Sequence, residues 1–332
     1  MRLAFITVAA VVSCTFAQPG LNIFSDEYIE FLNSQGLPWK AGRNFAKDTP
    51  LSHIQGLLNS LETSSSPPEL ESMYHEDNGE DLPEEFDARK KWSNCESIRE
   101  IRDQSACGSC WAFSSSSVMS DRVCIHSGQK NQLRISAADI MECCDSCTDH
   151  GDGCFGGTAY LAFKQWVDSG FVSGGGYHSA YGCKPYPFPD CNPHCWVENY
   201  DAPKCKNECD KGSQVKYEKD KHYAKEVYMI ISKDERQIQL ELIKNGPVVA
   251  HFTVYDDFQT YQNGVYTPAP GSEPVGRHSV RIIGWGTEND THPYWLITNS
   301  WNKRWGDQGL FKIMRGKNVC GIEDQIIAGL PQ

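Results

Sequence analysis

The chain has 332 residues, of which 39% are hydrophobic and 22% are charged, and its formal net charge at pH 7 is -12. This composition is typical of a globular protein rather than a disordered or fibrous one, and the length fits one large domain or two modest ones. The acidic balance argues against nucleic-acid binding, because neutralising phosphates requires clustered Lys and Arg.

Residues 1–17 are predicted to form a signal peptide. Arg2 supplies a positive charge, Leu3 to Val12 form a short apolar run, and small residues near Ala17 suit cleavage. The run is too short to span a membrane, and no later stretch approaches the ~20 continuous apolar residues that a span needs. The sequence therefore predicts a protein of the secretory pathway, lysosomal or extracellular, without membrane insertion.

Residues 18–81 contain no cysteine and differ in character from the rest of the chain. Ser25 is placed to cap a short helix, residues 64–68 form a Ser/Pro linker, and residues 76–87 are strongly acidic. A block of this kind before a cysteine-rich block is typical of an inhibitory pro-segment, with residues 82–332 as the mature domain. The alternative is a small independent domain.

Fifteen cysteines are present, and all but Cys14 lie at or after Cys95. In an oxidising compartment this density predicts disulfides. The fourteen outside the predicted signal peptide could form seven bridges, or two could stay free with one of them reactive. A zinc site is a weaker alternative. Its ligands would be Cys143, Cys144, Cys147, His150 and Cys154.

Helices are predicted first along the mature block, and strands follow. The helices begin after Cys110, at Ser136 and at Ala159, and a capping box of Ser232 and Glu235 predicts another that closes at residues 245–247. The predicted strands are Val248 to Val254, His278 to Ile283, Tyr294 to Thr298 and Leu310 to Met314. This order predicts an α+β fold of two lobes with a cleft between them.

The strongest chemical signal is the run QSACGSCW at residues 104–111. Cys110 follows a Gly-Ser turn and begins a predicted helix, whose N-terminus favours a thiolate. Cys107 and Cys110 also form a Cys-x-x-Cys pair, but redox pairs of this kind belong to a βαβ pattern that the sequence lacks. Cys110 is therefore predicted to be a nucleophile.

His278 lies in the run GRHSVRIIGWG and is the natural base for such a nucleophile, because its pKa lies near working pH. Asn299, in YWLITNSWN, can accept a hydrogen bond from the imidazole and orient it. Trp301 can shield that hydrogen bond from water. The Gln104 side-chain amide and the Cys110 backbone N–H can donate to a developing oxyanion.

These runs resemble the papain-like cysteine peptidases, and within them the cathepsin B group. The separation of Cys110 from His278 exceeds the ~130–150 residues typical of the family, so the cysteine-rich stretch 183–209 is interpreted as an insertion. The resemblance extends over nearly the whole chain after the signal. It rests on the runs WKAGRNF, LPEEFDARKKW, SDRVCIHSG, HGDGCFGG, GCKPYPFP, EKDKHYAKEVY, KNGPV and CGIED.

The resemblance implies a papain-like fold with a helical N-terminal lobe and a β-barrel-like C-terminal lobe. It implies a monomeric enzyme that cleaves protein and peptide substrates without a cofactor or metal, inhibited by its own pro-segment. Cys110 and Cys320 would stay unpaired. The implied bridges are Cys95–Cys124, Cys107–Cys154, Cys143–Cys205, Cys144–Cys147, Cys183–Cys209 and Cys191–Cys195.

The sequence departs from this family in the loop Cys191-Asn192-Pro193-His194-Cys195. In cathepsin B a longer occluding loop carries two adjacent histidines that receive the substrate's C-terminal carboxylate. Here only His194 remains, as a substrate-binding candidate, and the three residues inside the loop cannot cover the cleft in the same way. The sequence therefore predicts mainly endopeptidase activity, with weakened release of dipeptides.

The pocket for the second side chain on the acyl side also departs from the family. Gln325 stands where cathepsin B has a Glu that accepts Arg, so a preference for Arg is predicted to be lost and apolar side chains favoured. Thr158 stands for a tyrosine of that pocket and Ser279 for an alanine. The resemblance also assigns substrate binding to Gly156, Gly157 and Trp301.

Arg277 stands directly before His278, where cathepsin B has a glycine. A cation at this distance would depress the pKa of His278, whereas an Arg277 side chain that points outward into solvent would not, and the sequence leaves both alternatives open. This residue leaves one alternative function open, a catalytically impaired papain-like protein that is secreted and acts by binding.

Overall fold

The protein is described by a computed structural model that covers residues 21–61, 72–191, 195 and 199–332. The predicted signal peptide, the Ser/Pro linker at 64–68 and His194 lie outside these ranges. In the part of the chain that the model covers, no helix combines the length and the apolar character needed to cross a membrane.

Helices and strands alternate irregularly along the chain. Helices α1 to α7 span Asp26–Ser34, Leu51–Leu57, Ala88–Lys91, Cys110–His126, Ala137–Cys143, Ala159–Asp168 and Glu235–Asn245. Strands β1 to β10 span Trp39–Ala41, Ser72–Met73, Phe86–Asp87, Ala224–Ile230, Val248–Tyr255, Tyr261–Tyr266, Pro274–Glu288, His292–Thr298, Leu310–Met314 and Ile326–Pro331.

Helix α4 is the central element of the helical half, and its residues from Cys110 to Ile125 are all buried. Four successive serines, at 114–117, allow neighbouring elements to approach closely. Their hydroxyls can bond back to the helix, as Ser115 does to the Trp111 carbonyl at 2.7 Å. α5 and α6 pack against α4 and enclose one apolar core.

The second half is a sheet with the strand order β1-β6-β9-β8-β7-β5-β10-β4-β2, and β3 pairs with β7. The long strand β7 lies at its centre, between β5 and β8, and α4 packs against it. A second apolar core lies in this half and includes side chains of α1, β1 and α2. The predicted α+β class is confirmed, and the first residue of α4 faces the middle of β7.

The local predictions have mixed outcomes. Ser25 caps α1 by accepting a hydrogen bond from the Tyr28 N–H, as expected. The capping box predicted at Ser232 is wrong, because Asp234 is the N-cap of α7 and accepts from the Gln237 N–H at 3.0 Å. Lys233 adopts a left-handed conformation, with φ of 59°, which moves the start of the helix beyond Ser232.

All six bridges implied by the resemblance are present, and Cys110 and Cys320 are free. The bridges of Cys143, Cys144, Cys147 and Cys154 exclude the zinc alternative at these residues. The bridge from Cys107 to Cys154 likewise excludes a redox pair with Cys110. Among the residues described, no group of three or more side chains of the metal-binding types is placed to hold a metal ion.

Candidate active site

Cys110 is the first residue of α4 and is fully buried. Burial raises the pKa of its thiol to about 12. The backbone N–H groups of Ser279, Trp111 and Cys110 itself act in the opposite direction by bonding to the sulfur. The bond from Ser279 places the thiol beside strand β7, next to position 278.

His278 lies on β7, and its Nε2 is 2.7 Å from Oδ1 of Asn299, which follows β8. Burial lowers the pKa of His278 to about 4, whereas the hydrogen bond to Asn299 acts to raise it. The Trp301 ring lies 5.0 Å from the His278 ring, centroid to centroid, and shields this hydrogen bond. The geometry expected from the sequence for these three side chains is therefore present.

The thiol and the imidazole are both neutral in this covered state, because the pH range from about 4 to about 12 separates their pKa values. A thiolate–imidazolium pair needs the opposite order of pKa values. The physical cause is desolvation of both groups. Neither group is therefore ionised while the site remains covered.

Gln104 is fully buried and its side chain is held on both ends. Its Oε1 accepts from the Ser300 hydroxyl at 2.7 Å. Its Nε2 donates to the Cys107 carbonyl at 2.8 Å and to the Leu57 carbonyl at 3.0 Å. The amide predicted to serve an oxyanion thus bonds to a carbonyl of the predicted pro-segment.

Residues 57–61 of the predicted pro-segment run through the cleft by backbone hydrogen bonds. The Ser60 N–H donates to the Arg277 carbonyl at 3.2 Å, and the Leu61 N–H donates to the Gly157 carbonyl at 3.1 Å. The Gly157 N–H donates to the Asn59 carbonyl at 3.2 Å. A Cβ at Gly157 would lie 2.3 Å from the Trp111 ring, so only glycine can pack this closely against that ring.

The pocket expected from Thr158, Ser279 and Gln325 contains a further residue, His251, which the sequence interpretation missed. Ser279 pairs with His251 across β7 and β5, and Ile326 pairs with Ala250, so Gln325 lies beside His251. Side chains at such positions are neighbours on one face of a sheet. A histidine inside the otherwise apolar run of β5 was the signal available in the sequence.

His251 is buried, and its Nδ1 lies 2.8 Å from the hydroxyl of the pro-segment residue Ser60. Burial lowers the pKa of His251 to about 3, with smaller contributions from the charges of Arg277 and His278. The imidazole is therefore neutral, and it binds the Ser60 hydroxyl through a hydrogen bond between two uncharged groups. Thr158 at the start of α6 is also buried, and Gln325 directly before β10 is half-buried.

The charge of Arg277 affects the pKa of His251 rather than that of its chain neighbour His278. The pKa of His278 is lowered by burial, and the electrostatic effect of Arg277 falls on His251 instead. Successive side chains of a strand point to opposite faces, so Arg277 and His278 diverge although they are adjacent in the chain. A depressed pKa of His278 is therefore present, but its cause is desolvation.

Cys191 and Cys195, whose bridge closes the short loop, line a cavity beside the predicted pro-segment. The Cys191 N–H donates to Asp103 at 3.0 Å, and the Arg304 guanidinium donates to the Cys191 carbonyl. The cavity of about 350 Å³ lies between Cys191, Cys195 and the pro-segment stretch 44–57, and Trp301 also lines it. Space therefore remains beside the Cys191–Cys195 bridge.

Comparison with known proteins agrees with this geometry. The model of the papain family cysteine proteases matches residues 82–330, and that of the peptidase family C1 propeptide matches residues 24–64. A cathepsin B-like cysteine proteinase of Schistosoma japonicum is 43% identical over 92% of this chain and 90% of its own. Cathepsin B-like cysteine proteinase 4 of Caenorhabditis elegans is 42% identical over 99% of both chains.

Solved structures of zymogens resemble the fold. A procathepsin B from Trypanosoma congolense has a TM-score of 0.81 at 35% identity, covering 94% of this chain and all of its own. A digestive procathepsin L2 of Tenebrio molitor, at 23% identity, shows the same fold with a TM-score of 0.68, covering 92% of this chain and 89% of its own. The chain therefore belongs to the papain family of cysteine proteases, and it is a cathepsin B-like cysteine protease with its propeptide.

Proposed function

We propose that the chain hydrolyses peptide bonds through an acyl-enzyme on Cys110 once its pro-segment is removed. The observation that supports this most is the Leu57 carbonyl, which accepts from the Gln104 amide at 3.0 Å. A pro-segment carbonyl stands where a substrate carbonyl would be polarised. The pro-segment, proposed as residues 18–81, would inhibit by holding that place and by keeping the thiol neutral.

In the proposed reaction, the Cys110 proton passes to His278 and the thiolate attacks the substrate carbonyl carbon. The Gln104 amide and the Cys110 N–H hold the oxyanion. His278 gives its proton to the leaving amine as the carbon–nitrogen bond breaks and a thioester remains. His278 then takes a proton from water as the resulting hydroxide attacks the thioester. The carbon–sulfur bond breaks, the carboxylic acid product leaves, and the proton returns to the Cys110 sulfur. Asn299 orients the ring throughout.

Cleavage is proposed to be mainly internal to the substrate. Three residues between Cys191 and Cys195 provide no long cover for the cleft, and the neighbouring cavity of about 350 Å³ supports an open path for a continuing chain. Incubation with an N-blocked peptide of a dozen residues, followed by mass spectrometry, should give internal fragments first. Stepwise release of C-terminal dipeptides as the dominant pattern would refute this proposal.

The second side chain on the acyl side is proposed to bind beside His251, Ser279, Thr158 and Gln325. Without a carboxylate at position 325, an Arg side chain would lack its partner. Gly156 and Gly157 are proposed to bind the substrate backbone. A Phe-Arg fluorogenic substrate should be cleaved faster than a diarginyl one, and the reverse order would contradict the assignment of this pocket.

The enzyme is proposed to act as a monomer in the secretory pathway, in the lysosome or outside the cell. Six bridges agree with folding in an oxidising compartment. Size-exclusion chromatography with light scattering should give the mass of one chain, and a mass of two chains would refute the monomer.

The activity itself is tested by labelling. After acid maturation, an epoxysuccinyl cysteine-peptidase inhibitor should modify Cys110 stoichiometrically, and the adduct is located by mass spectrometry. A Cys110→Ser variant is the control and should take up no label. No adduct on a chain that has lost its pro-segment would favour the alternative, a catalytically impaired secreted protein that acts by binding.

A further inference from the structure

The segment Ser72–Glu80 forms a second set of contacts with the peptidase domain, apart from those in the cleft. Strand β2 pairs in parallel with β4, with Ser72 opposite Met229 and Met73 opposite Ile230. It therefore extends the edge of the sheet as an added strand, which is a common way for a protein to bind a peptide.

His75 is the centre of these contacts and is buried, although its neighbours Tyr74 and Glu76 are exposed. The Gln237 side chain accepts from the His75 N–H at 2.7 Å and donates to the His75 carbonyl at 3.0 Å. The His75 Nε2 lies 2.5 Å from Oε2 of Glu241. Both the backbone and the side chain of this one residue are therefore recognised by helix α7.

The pocket for His75 is held together by residues of the peptidase domain. Oε1 of Glu241 accepts from the Arg122 guanidinium at 2.7 Å and from the Tyr228 hydroxyl at 2.8 Å, while the Asn245 amide donates to Oε2 at 3.0 Å. Burial acts to raise the pKa of Glu241, but the charge of Arg122 and hydrogen bonds from His75, Arg122 and Asn245 together lower it to about 2. The carboxylate is thus charged, and Arg122, Tyr228 and Asn245 of the peptidase domain fix its position together with His75.

A third contact fixes the register of the segment. The Arg236 guanidinium donates to both carboxylate oxygens of Asp77 and to the Glu80 carbonyl at 2.7 Å. A forked guanidinium–carboxylate pair is specific in geometry as well as in charge. The surface therefore binds the side chains of a histidine and of an aspartate two positions later, His75 and Asp77.

We propose that the surface formed by the edge of β4 and by Arg236, Gln237 and Glu241 is a peptide-binding site whose ligand is the segment Ser72–Glu80. It lies far from the reacting atoms, because Arg122 stands twelve residues after Cys110 on α4, or roughly 18 Å along the helix. The site binds independently of the cleft, so the two halves of a pro-segment cut within residues 62–71 remain held separately.

The pro-segment is therefore held to the peptidase domain at two places, by residues 57–61 in the cleft and by the segment Ser72–Glu80 at β4 and α7. An intramolecular ligand has an effective concentration that a free peptide reaches only in the millimolar range. The docked segment therefore excludes a second copy of the same peptide from the site. That exclusion provides the test.

The experiment uses the full-length chain with Cys110→Ser, so that no cleavage occurs. A fluorescent peptide of residues 72–81 is titrated into this chain and into the same chain with His75→Ala and Asp77→Ala, and binding is followed by anisotropy. The doubly altered chain should bind the peptide at least tenfold more tightly, since its own segment no longer occupies the site. A matched chain with Glu76→Ala and Glu84→Ala should behave like the parent.

Two further measurements keep the test decisive. A peptide carrying His75→Ala should bind the doubly altered chain at least tenfold more weakly than the natural peptide. Adding Arg236→Ala to that chain, an exposed change, should also weaken binding. Equal binding by the parent and the doubly altered chain, or no binding by either, would overturn the proposal. Because the cleft thiol is absent throughout, these outcomes are independent of whether the chain is an active peptidase.

Discussion

At its first residue, helix α4 buries Cys110 against strand β7, and three turns later it buries Arg122 against Glu241. At the cleft, burial outweighs the opposing hydrogen bonds, so the pKa of the thiol rises to about 12 and that of His278 falls to about 4. At the far end, a cation and an anion compensate each other, and the pKa of Glu241 falls to about 2. The charge states of Cys110 and His278 depend on the burial of the cleft, whereas those of Arg122 and Glu241 are set by the packing of the folded domain.

The largest expected effect concerns the thiol at the cleft. With a pKa of about 12 the thiolate fraction at pH 7 is roughly 10⁻⁵, against about 3 × 10⁻² for an ordinary thiol near 8.5. Removing the pro-segment should therefore raise the alkylation rate of Cys110 by roughly three orders of magnitude or more. Iodoacetamide labelling in a Cys320→Ser background measures this rate. Equal rates before and after maturation would show that the pro-segment does not control ionisation.

The paired end of α4 is tested by removing one partner. Glu241→Ala would leave the fully buried Arg122 guanidinium uncompensated, which typically costs about 3–5 kcal/mol of unfolding free energy. Arg236→Ala breaks a solvent-screened pair with Asp77 and should cost much less. Urea unfolding of both full-length variants gives the two values. Similar losses would mean that burial does not distinguish these pairs.

Asp257 sharpens the comparison, because it is a buried carboxylate bonded to the Tyr266 hydroxyl and the Ala269 N–H rather than to a cation. Burial raises its pKa to about 6, against the effect of these hydrogen bonds. The folded chain thus holds this proton more tightly than the unfolded chain. The stabilisation is fully present below pH ~4 and is lost as the pH rises through about 6.

A shift of roughly two pKa units corresponds to about 3 kcal/mol. The Asp257→Asn variant should therefore lose less stability than the parent chain between pH 4 and pH 7, by about that amount. Urea unfolding at several pH values measures the two slopes. Glu76→Gln is the control, since Glu76 is exposed. A variant whose stability falls as steeply as that of the parent would remove Asp257 as the cause.

The surroundings of Cys110 at the start of α4 were largely predictable from the sequence, whereas those of Arg122 near its end were not. Cys110, His278 and Asn299 lie in short sequence runs from which a nucleophile, a base and an orienting amide can be predicted. The disulfide bridges were predicted from the family resemblance. The partners His75 and Glu241 lie in unremarkable runs, far apart in the chain. Their meeting depends on the packing of α7 against β4, which no local pattern encodes.

Position on a strand also limited the sequence argument. An effect of Arg277 on its chain neighbour His278 was one of two alternatives, but the alternation of strand faces directs that effect to His251 on the adjacent strand. His251 was missed for the same reason, because its place beside Ser279 and Gln325 is set by strand register. Which strands are neighbours is a tertiary property of the sheet.

The smallest expected effect concerns this neutral histidine in the substrate pocket. The Ser60 hydroxyl lies 2.8 Å from the His251 Nδ1 in the zymogen, so a Ser or Thr side chain at the second acyl-side position can make the same bond. The expectation of an apolar preference was based on Gln325 and did not include this group. One hydrogen bond between neutral groups contributes about 1 kcal/mol, or roughly fivefold in kcat/KM.

The measurement compares two fluorogenic peptides that differ only in Thr or Val at that position, because these side chains have nearly the same shape. The mature parent enzyme should favour Thr over Val by roughly fivefold in kcat/KM, and His251→Ala should abolish that ratio while still cleaving the Val peptide. An unchanged ratio in the variant would assign the selectivity to Thr158, Ser279 or Gln325. A parent enzyme that favours Val would instead restore the apolar preference, and the Ser60 contact would then concern the zymogen alone.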